Sequence, residues 1–250
     1  SHHVFLFCQA LSLQMSTDTT KISYRTAKPS DLPAIARLLN DAFDDDDNYN
    51  HHDDNDKDTT TNEQRIGDIQ EQLARRMNDM VNQKSEPSST SSSMPHAFLV
   101  ATTTNSNDAL TSSATQDNES SRTTTTTRIA GFIELGTMPS PVTIEKEWQG
   151  VKIATRPELP YVANLVVEES FRRQKLGYTM IQLALKIAKK WCQGPDTSSS
   201  SSSFSPFLFL SVDQDNHGAL AFYKRLGFEE MRLPQEKLAG KVYLEKKLSS

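Results

Sequence analysis

Apolar and polar side chains alternate at Ile22-Ser23-Tyr24-Arg25, the period of a half-buried strand. Pro29-Ser30-Asp31 then carries helix-start chemistry, and Ile35, Leu38, Leu39 and Phe43 fall on one face of the helix that follows. A second helix is predicted over residues 62–83, where Ile66, Ile69, Leu73, Met77, Met80 and Val81 keep the helical period. Ala97-Phe98-Leu99-Val100-Ala101 and residues 128–135 read as strands, the latter with Gly131 at a candidate bulge. Residues 136–158, punctuated by proline and containing Trp148, read as a loop. Residues 160–167 are apolar at nearly every position, as in a strand covered on both faces. A long helix is expected over 175–191, with Leu176, Met180, Leu183, Ile187 and Trp191 spaced by four, three, four and four. Residues 207–212 make another buried strand. A helix over 216–226 is stopped by Gly227, with Phe228 behind it. Residues 241–248 close the pattern as an alternating strand.

These elements form one mixed α/β domain over residues 21–248, long enough for a sizeable core. Residues 1–20 are expected to be a disordered N-terminal segment, and low-complexity insertions interrupt the domain at 44–58, 103–127 and 197–204. The first is rich in Asp, the second in Thr, Ser and Asn, and the third contains the unbroken serine run 198–203. Such tracts have too little apolar surface to offset the entropy of ordering.

Charge changes little. The net charge of −5 comes from the 44–58 tract, which holds eight Asp and one Lys; without it the chain carries 26 basic and 24 acidic residues. No basic field calls for nucleic acid. No apolar run reaches the roughly 18 residues of a membrane helix, so no membrane partner is expected. The two cysteines, Cys8 and Cys192, have no metal-site or disulfide spacing, which fits a reducing, intracellular setting. The histidines at 2, 3, 51 and 52 define no metal site. The chain opens on Ser1, and Val4–Leu13 is short and poorly flanked for a secretory signal. A start at Met15 and a remnant of an organelle-targeting segment are both open, so cytoplasm and plastid both stand.

The chemistry concentrates in two segments. Leu165-Val166-Val167 leads through Glu168-Glu169-Ser170-Phe171 into Arg172-Arg173-Gln174-Lys175-Leu176-Gly177-Tyr178: a buried strand, a basic turn and a helix start. Unpaired N–H groups and the positive end of the helix dipole suit a pyrophosphate there. A solvated helix start is the plainer reading of the same residues. In the second segment Asn216 is an N-cap candidate, and Tyr223, seven residues on, shares its helix face. Tyr223 also reads as a core aromatic.

The element order β-α-α-β-β-β-α-β-α-β resembles the GNAT superfamily of N-acetyltransferases, most strongly over 160–228. Arg172 to Gly177 resembles the superfamily's acyl-CoA signature Q/R-x-x-G-x-G/A, with Lys175 where glycine is usual. The resemblance implies a central splayed sheet flanked by helices, with acetyl-CoA as acyl donor. Leu165, Val166 and Val167 would pair with the pantetheine arm. Arg172, Arg173, Gln174, Lys175, Leu176, Gly177 and Tyr178 would hold the diphosphate. Asn216 and Tyr223 would border the sulfur, with Tyr223 as the catalytic proton donor to the thiolate. The strand 160–167 resembles plant-type plastid members that modify protein N-termini and lysines, which makes a protein or peptide amine the expected acceptor and a small amine the alternative. A general base is not evident. Tyr161 lies near the place where some members carry Glu, Glu134 and Glu158 are candidates beside a water chain, and His96 and His217 read as structural or exposed. A non-catalytic acyl-CoA-binding module is the rival from another class. A nucleotide-phosphate site is weaker, since no Gly-Lys-Ser/Thr loop is present.

Overall fold

The computed structural model describes residues 20–43, 59–82, 95–105, 127–148, 151–192, 207–233 and 240–248. The tracts 44–58 and 197–204, most of 103–127, and nearly all of 1–20 lie outside these residues. The chain divides into two compact units. The first takes residues 1–85, 98–132 and 166–177; the second takes 86–97, 133–165 and 178–250.

The strands are β1 (Thr20–Thr26), β2 (Ala97–Asn105), β3 (Thr127–Pro139), β4 (Ile144–Trp148), β5 (Val151–Thr155), β6 (Glu158–Val167), β7 (Phe207–Asp213), β8 (Glu229–Glu230) and β9 (Lys241–Lys247). The helices are α1 (Leu32–Phe43), α2 (Thr59–Asn82), α3 (Leu176–Cys192) and α4 (His217–Arg225). Backbone hydrogen bonds order seven strands as β1-β2-β3-β6-β7-β9-β8, and β4 pairs separately with β5. β6 and β7 run parallel, while β1–β2 and β7–β9 are antiparallel. This mixed α/β sheet is the fold class that the pattern predicts.

In the first unit the amphipathic faces of α1 and α2 bury Ile35, Leu38, Leu39, Leu73 and Met77 with Phe98, Val100, Phe132 and Val166. Phe98 and Phe132 meet with ring centroids 5.8 Å apart. In the second unit Leu159, Phe207, Phe209 and Met231 form a core, with Tyr161 and Tyr243 packed against it.

Four expectations are corrected. Phe43 ends α1 at 45% exposure instead of joining its buried face. The Pro-rich stretch 136–158 is no loop: β3 runs on to Pro139, and Ile144–Trp148 pairs antiparallel with Val151–Thr155. The prolines at 139, 141 and 157 flank that hairpin and spare its ladder. β2 also extends past the predicted linker boundary. Thr103 pairs with Ile22 and Asn105 with Thr20, while the Ser23 and Thr102 hydroxyls meet at 2.7 Å. β-branched threonines suit this paired edge. Finally, the fully buried stripe of α3 is Leu176, Met180, Ile181, Ala184 and Ala188. Leu183, Ile187 and Trp191 are half-buried. The small alanines take the closest approach, and the larger side chains lie along its margin.

Candidate active site

β6 enters the site as a strand paired with β7. Its register with β7 comprises Tyr161 opposite Phe209 and Val162 opposite Leu210. Among the described residues the register with β7 stops at Val162, and the β7-facing backbone groups from Ala163 to Leu165 suit an extended ligand. Leu165 and Val167 are half-buried and Val166 is buried. Val166 belongs to the apolar core of the first unit, so only its backbone is offered to a ligand.

The strand ends at Val167, and the N–H of Glu168 behind it donates to the Ala130 carbonyl at 3.0 Å. A single 3-10 turn, Glu169–Phe171, follows. Arg172 is extended, and its Nε donates to the Val167 carbonyl at 3.2 Å, which pins the turn to the strand. Arg173 and Lys175 then adopt left-handed backbone conformations, with φ of 61° and 64°. Glycine is the usual occupant of such positions, since a Cβ there costs about 1–2 kcal/mol. Strain of this kind concentrates at ligand clamps. The turn delivers the chain into α3, whose first N–H groups have no helical partner. Arg172, Arg173, Gln174 and Lys175 are exposed, as is Tyr178 at 50%. Gln174 donates from Nε2 to the Ser170 carbonyl at 3.0 Å. Leu176 is 1% exposed, so its side chain anchors the helix start and its N–H alone can serve a ligand. A helix N-terminus with cationic side chains around it can hold a diphosphate.

In the second unit Asn216 caps α4: its Oδ1 accepts from the Ala219 N–H at 3.0 Å. The capping role is thus established for Asn216, and Tyr223 follows on the same helix. Tyr223 is buried, and its ring packs against Phe222 at 5.1 Å and Phe228 at 5.5 Å between centroids. Burial raises its pKa well above that of an ordinary phenol, and the Tyr161 phenol adds a smaller push in the same direction. Tyr161 is held by Phe209, 4.9 Å between centroids, and by a hydroxyl contact with Ser211 at 3.1 Å.

The base candidates separate clearly. Glu158 begins β6 exposed, and His217 begins α4 exposed. Glu134 is 1% exposed on β3 and lies in a polar network. Its Oε1 is 2.9 Å from His96 Nε2, and its Oε2 accepts from Asn164 Nδ2 at 2.7 Å. The sequence reading, which took 160–167 as apolar at nearly every position, gave Asn164 no role. An Asn inside that run, with a Glu inside the apolar strand 128–135, was the available signal. Among the described residues no cluster of His, Cys, Asp and Glu could hold a metal ion, and no helix is long and apolar enough to cross a membrane.

Residues 125–230 match the family model described as an acetyltransferase (GNAT) domain. The chain is 31% identical over 81 residues to GCN5-related N-acetyltransferase 4, chloroplastic, of Arabidopsis thaliana. That match takes in 32% of this chain and 23% of the relative's length, so this chain spans about a quarter of that protein. Among solved structures, a GNAT-family acetyltransferase from Staphylococcus aureus Mu50 superposes with a TM-score of 0.49 at 12% identity, covering 91% of this chain and 99% of the other. Arabidopsis thaliana NAA60 in complex with a bisubstrate analogue gives 0.43 at 15% identity, covering 91% and 98%.

Proposed function

We propose, from the premise that the chain belongs through residues 125–230 to the GNAT acetyltransferase family, that it moves an acetyl group from acetyl-CoA to a primary amine of a protein or peptide. The observation that carries this reading is the turn at 172–177. There, a segment with two left-handed residues and three exposed cationic side chains immediately precedes α3. The diphosphate takes the N–H groups at the start of α3. The pantetheine arm pairs with the β7-facing edge of β6 beyond Val162 as a short added strand. Backbone donors near Val167 polarise the thioester carbonyl.

Tyr223 supplies the proton to the departing thiolate. Burial raises the pKa of a phenol, and it raises that of a thiol in the same surroundings, so donor and acceptor stay matched. The amine acceptor is supported by the similarity to an N-acetyltransferase over 81 residues. The chloroplastic name of that relative favours the plastid over the cytoplasm.

Incubating the purified protein with acetyl-CoA and a peptide library, and reading acetylated products by mass spectrometry, tests the proposal. Time-dependent acetylation at α- or ε-amines is the expected result. Acetyl-CoA binding without turnover on peptides or small amines would identify a non-catalytic acyl-CoA-binding module instead.

A further inference from the structure

Arg128, on β3, reaches both ends of the short turn that leads β6 into the basic segment. Its guanidinium is paired with the Glu168 carboxylate and lies over the Phe171 ring, 5.6 Å from the centroid. Glu168 precedes the 3-10 turn, and Phe171 closes it. The Glu168 carboxylate also accepts from the Ser170 hydroxyl at 2.7 Å, and the Glu168 N–H is tied to Ala130 of β3. One side chain and one backbone bond of β3 therefore hold the turn from outside. All of these residues belong to the first unit.

The grip on the turn passes to the basic segment. The Phe171 N–H donates to the Glu168 carbonyl at 2.9 Å, and the Arg172 N–H donates to the Glu169 carbonyl at 3.0 Å. Arg172 Nε returns to the Val167 carbonyl, next to Glu168. Arg173 and Lys175 follow in left-handed conformations. Such conformations persist only where the surroundings over-determine them. An exposed ion pair alone contributes little. Here the same guanidinium also meets an aromatic face, which restricts it to one geometry. Electrostatics add a second reason for the contact. Glu168 is an acid four residues ahead of Arg172, and a bare carboxylate there opposes a bound diphosphate.

We infer that Arg128 is a positioning residue for acetyl-CoA: it holds Glu168 and Phe171 together, fixes the turn that aims Arg172 and Arg173, and cancels the charge of Glu168. This rests on the assignment of acetyl-CoA to residues 172–178. Arg128 acts through the turn, so it governs cofactor affinity and not the chemical step.

Calorimetric titration of acetyl-CoA tests the inference, with thermal unfolding and steady-state kinetics on a peptide amine in parallel. Arg128→Ala should weaken binding by about three- to tenfold. The KM for acetyl-CoA should rise by the same factor, while kcat and the amine KM stay within about twofold. Glu168→Gln is the sharper variant. It removes a negative charge from beside a diphosphate site, which by itself would tighten binding. Because it also releases Arg128, binding should instead weaken by about threefold. The double variant Arg128→Ala with Glu168→Gln should bind no more weakly than Arg128→Ala alone, since one contact is lost in both. Arg128→Lys keeps the charge but not the planar group, and should fall between wild type and Arg128→Ala. If Arg128→Ala fails to fold, Arg128→Lys and Glu168→Gln carry the test. Unchanged affinity in folded Arg128→Ala, unchanged or tighter binding in folded Glu168→Gln, or single losses that multiply in the double variant overturn the inference. So does a fall in kcat with affinity unchanged. A wild type that binds no acetyl-CoA overturns the cofactor assignment instead.

Discussion

The N–H of Phe228 donates to the carbonyl of Tyr223 at 3.1 Å, while the two rings meet edge-on with centroids 5.5 Å apart. The Gly227 N–H bonds to the Lys224 carbonyl at 3.0 Å, which completes a Schellman stop with its usual apolar contact. Lys246 Nζ also donates to the Leu226 carbonyl. The device that ends α4 is therefore the one that holds Tyr223 in place.

Gly227 has a φ of +78°, and a Cβ there would also stand 3.2 Å from Lys246 Nζ. Gly227→Ala should cost about 1–2 kcal/mol of stability, read by urea unfolding. Because the cap positions Tyr223, turnover should fall as well, at saturating substrate and at a temperature where the variant is folded.

Tyr223→Phe keeps the ring and removes the hydroxyl. Single-turnover rates should fall roughly 10²-fold, with acetyl-CoA Kd within a few-fold of wild type. Since burial, and secondarily Tyr161, holds the phenol above its ordinary pKa, no alkaline limb from Tyr223 should appear below about pH 10. A full single-turnover rate in the variant would remove Tyr223 from the chemistry.

Lys175 bears backbone strain at a φ of 64°. Lys175→Gly should raise the unfolding free energy by about 1 kcal/mol in a denaturant titration, because glycine occupies this conformation without a Cβ penalty.

Asp31 supplies a pH signature. Burial alone would raise its pKa, but the Arg25 guanidinium at 2.6 and 2.9 Å and the Lys28 N–H at 2.7 Å outweigh burial and lower it. A depressed carboxylate stabilises the fold above its unfolded pKa and loses that contribution as pH falls through the folded value. Asp31→Asn should therefore cost about 1–3 kcal/mol at neutral pH. The gap to wild type should narrow below about pH 4, near the unfolded value. A gap in melting temperature that is constant from pH 7 to 2.5 would contradict the linkage.

Much of this fold was legible because its elements announce themselves locally. The alternation at 22–25, the apolar run at 207–212 and the Gly227 stop all depend on neighbours in sequence. What escaped depends on partners that are distant in sequence. The identity of the α3 stripe follows from which side chains allow close approach, so Ala184 and Ala188 are buried ahead of Leu183 and Ile187. Thr103–Asn105 looked like linker by composition and became strand by pairing with β1. The site divides in the same way. The turn at 172–177 and the Asn216 cap are local motifs, whereas His96 and Glu134 stand 38 residues apart and meet only once β3 is in place.

Titrating acetyl-CoA by calorimetry into wild type and into the double variant Arg172→Glu with Arg173→Glu tests the central claim most directly. The turn is assigned to the diphosphate on its cationic side chains and the N-terminus of α3 that it opens. Reversing two charges should therefore weaken binding by about tenfold or more, with thermal unfolding close to that of wild type. Unchanged affinity in a folded double variant would contradict the placement of acetyl-CoA at residues 172–178.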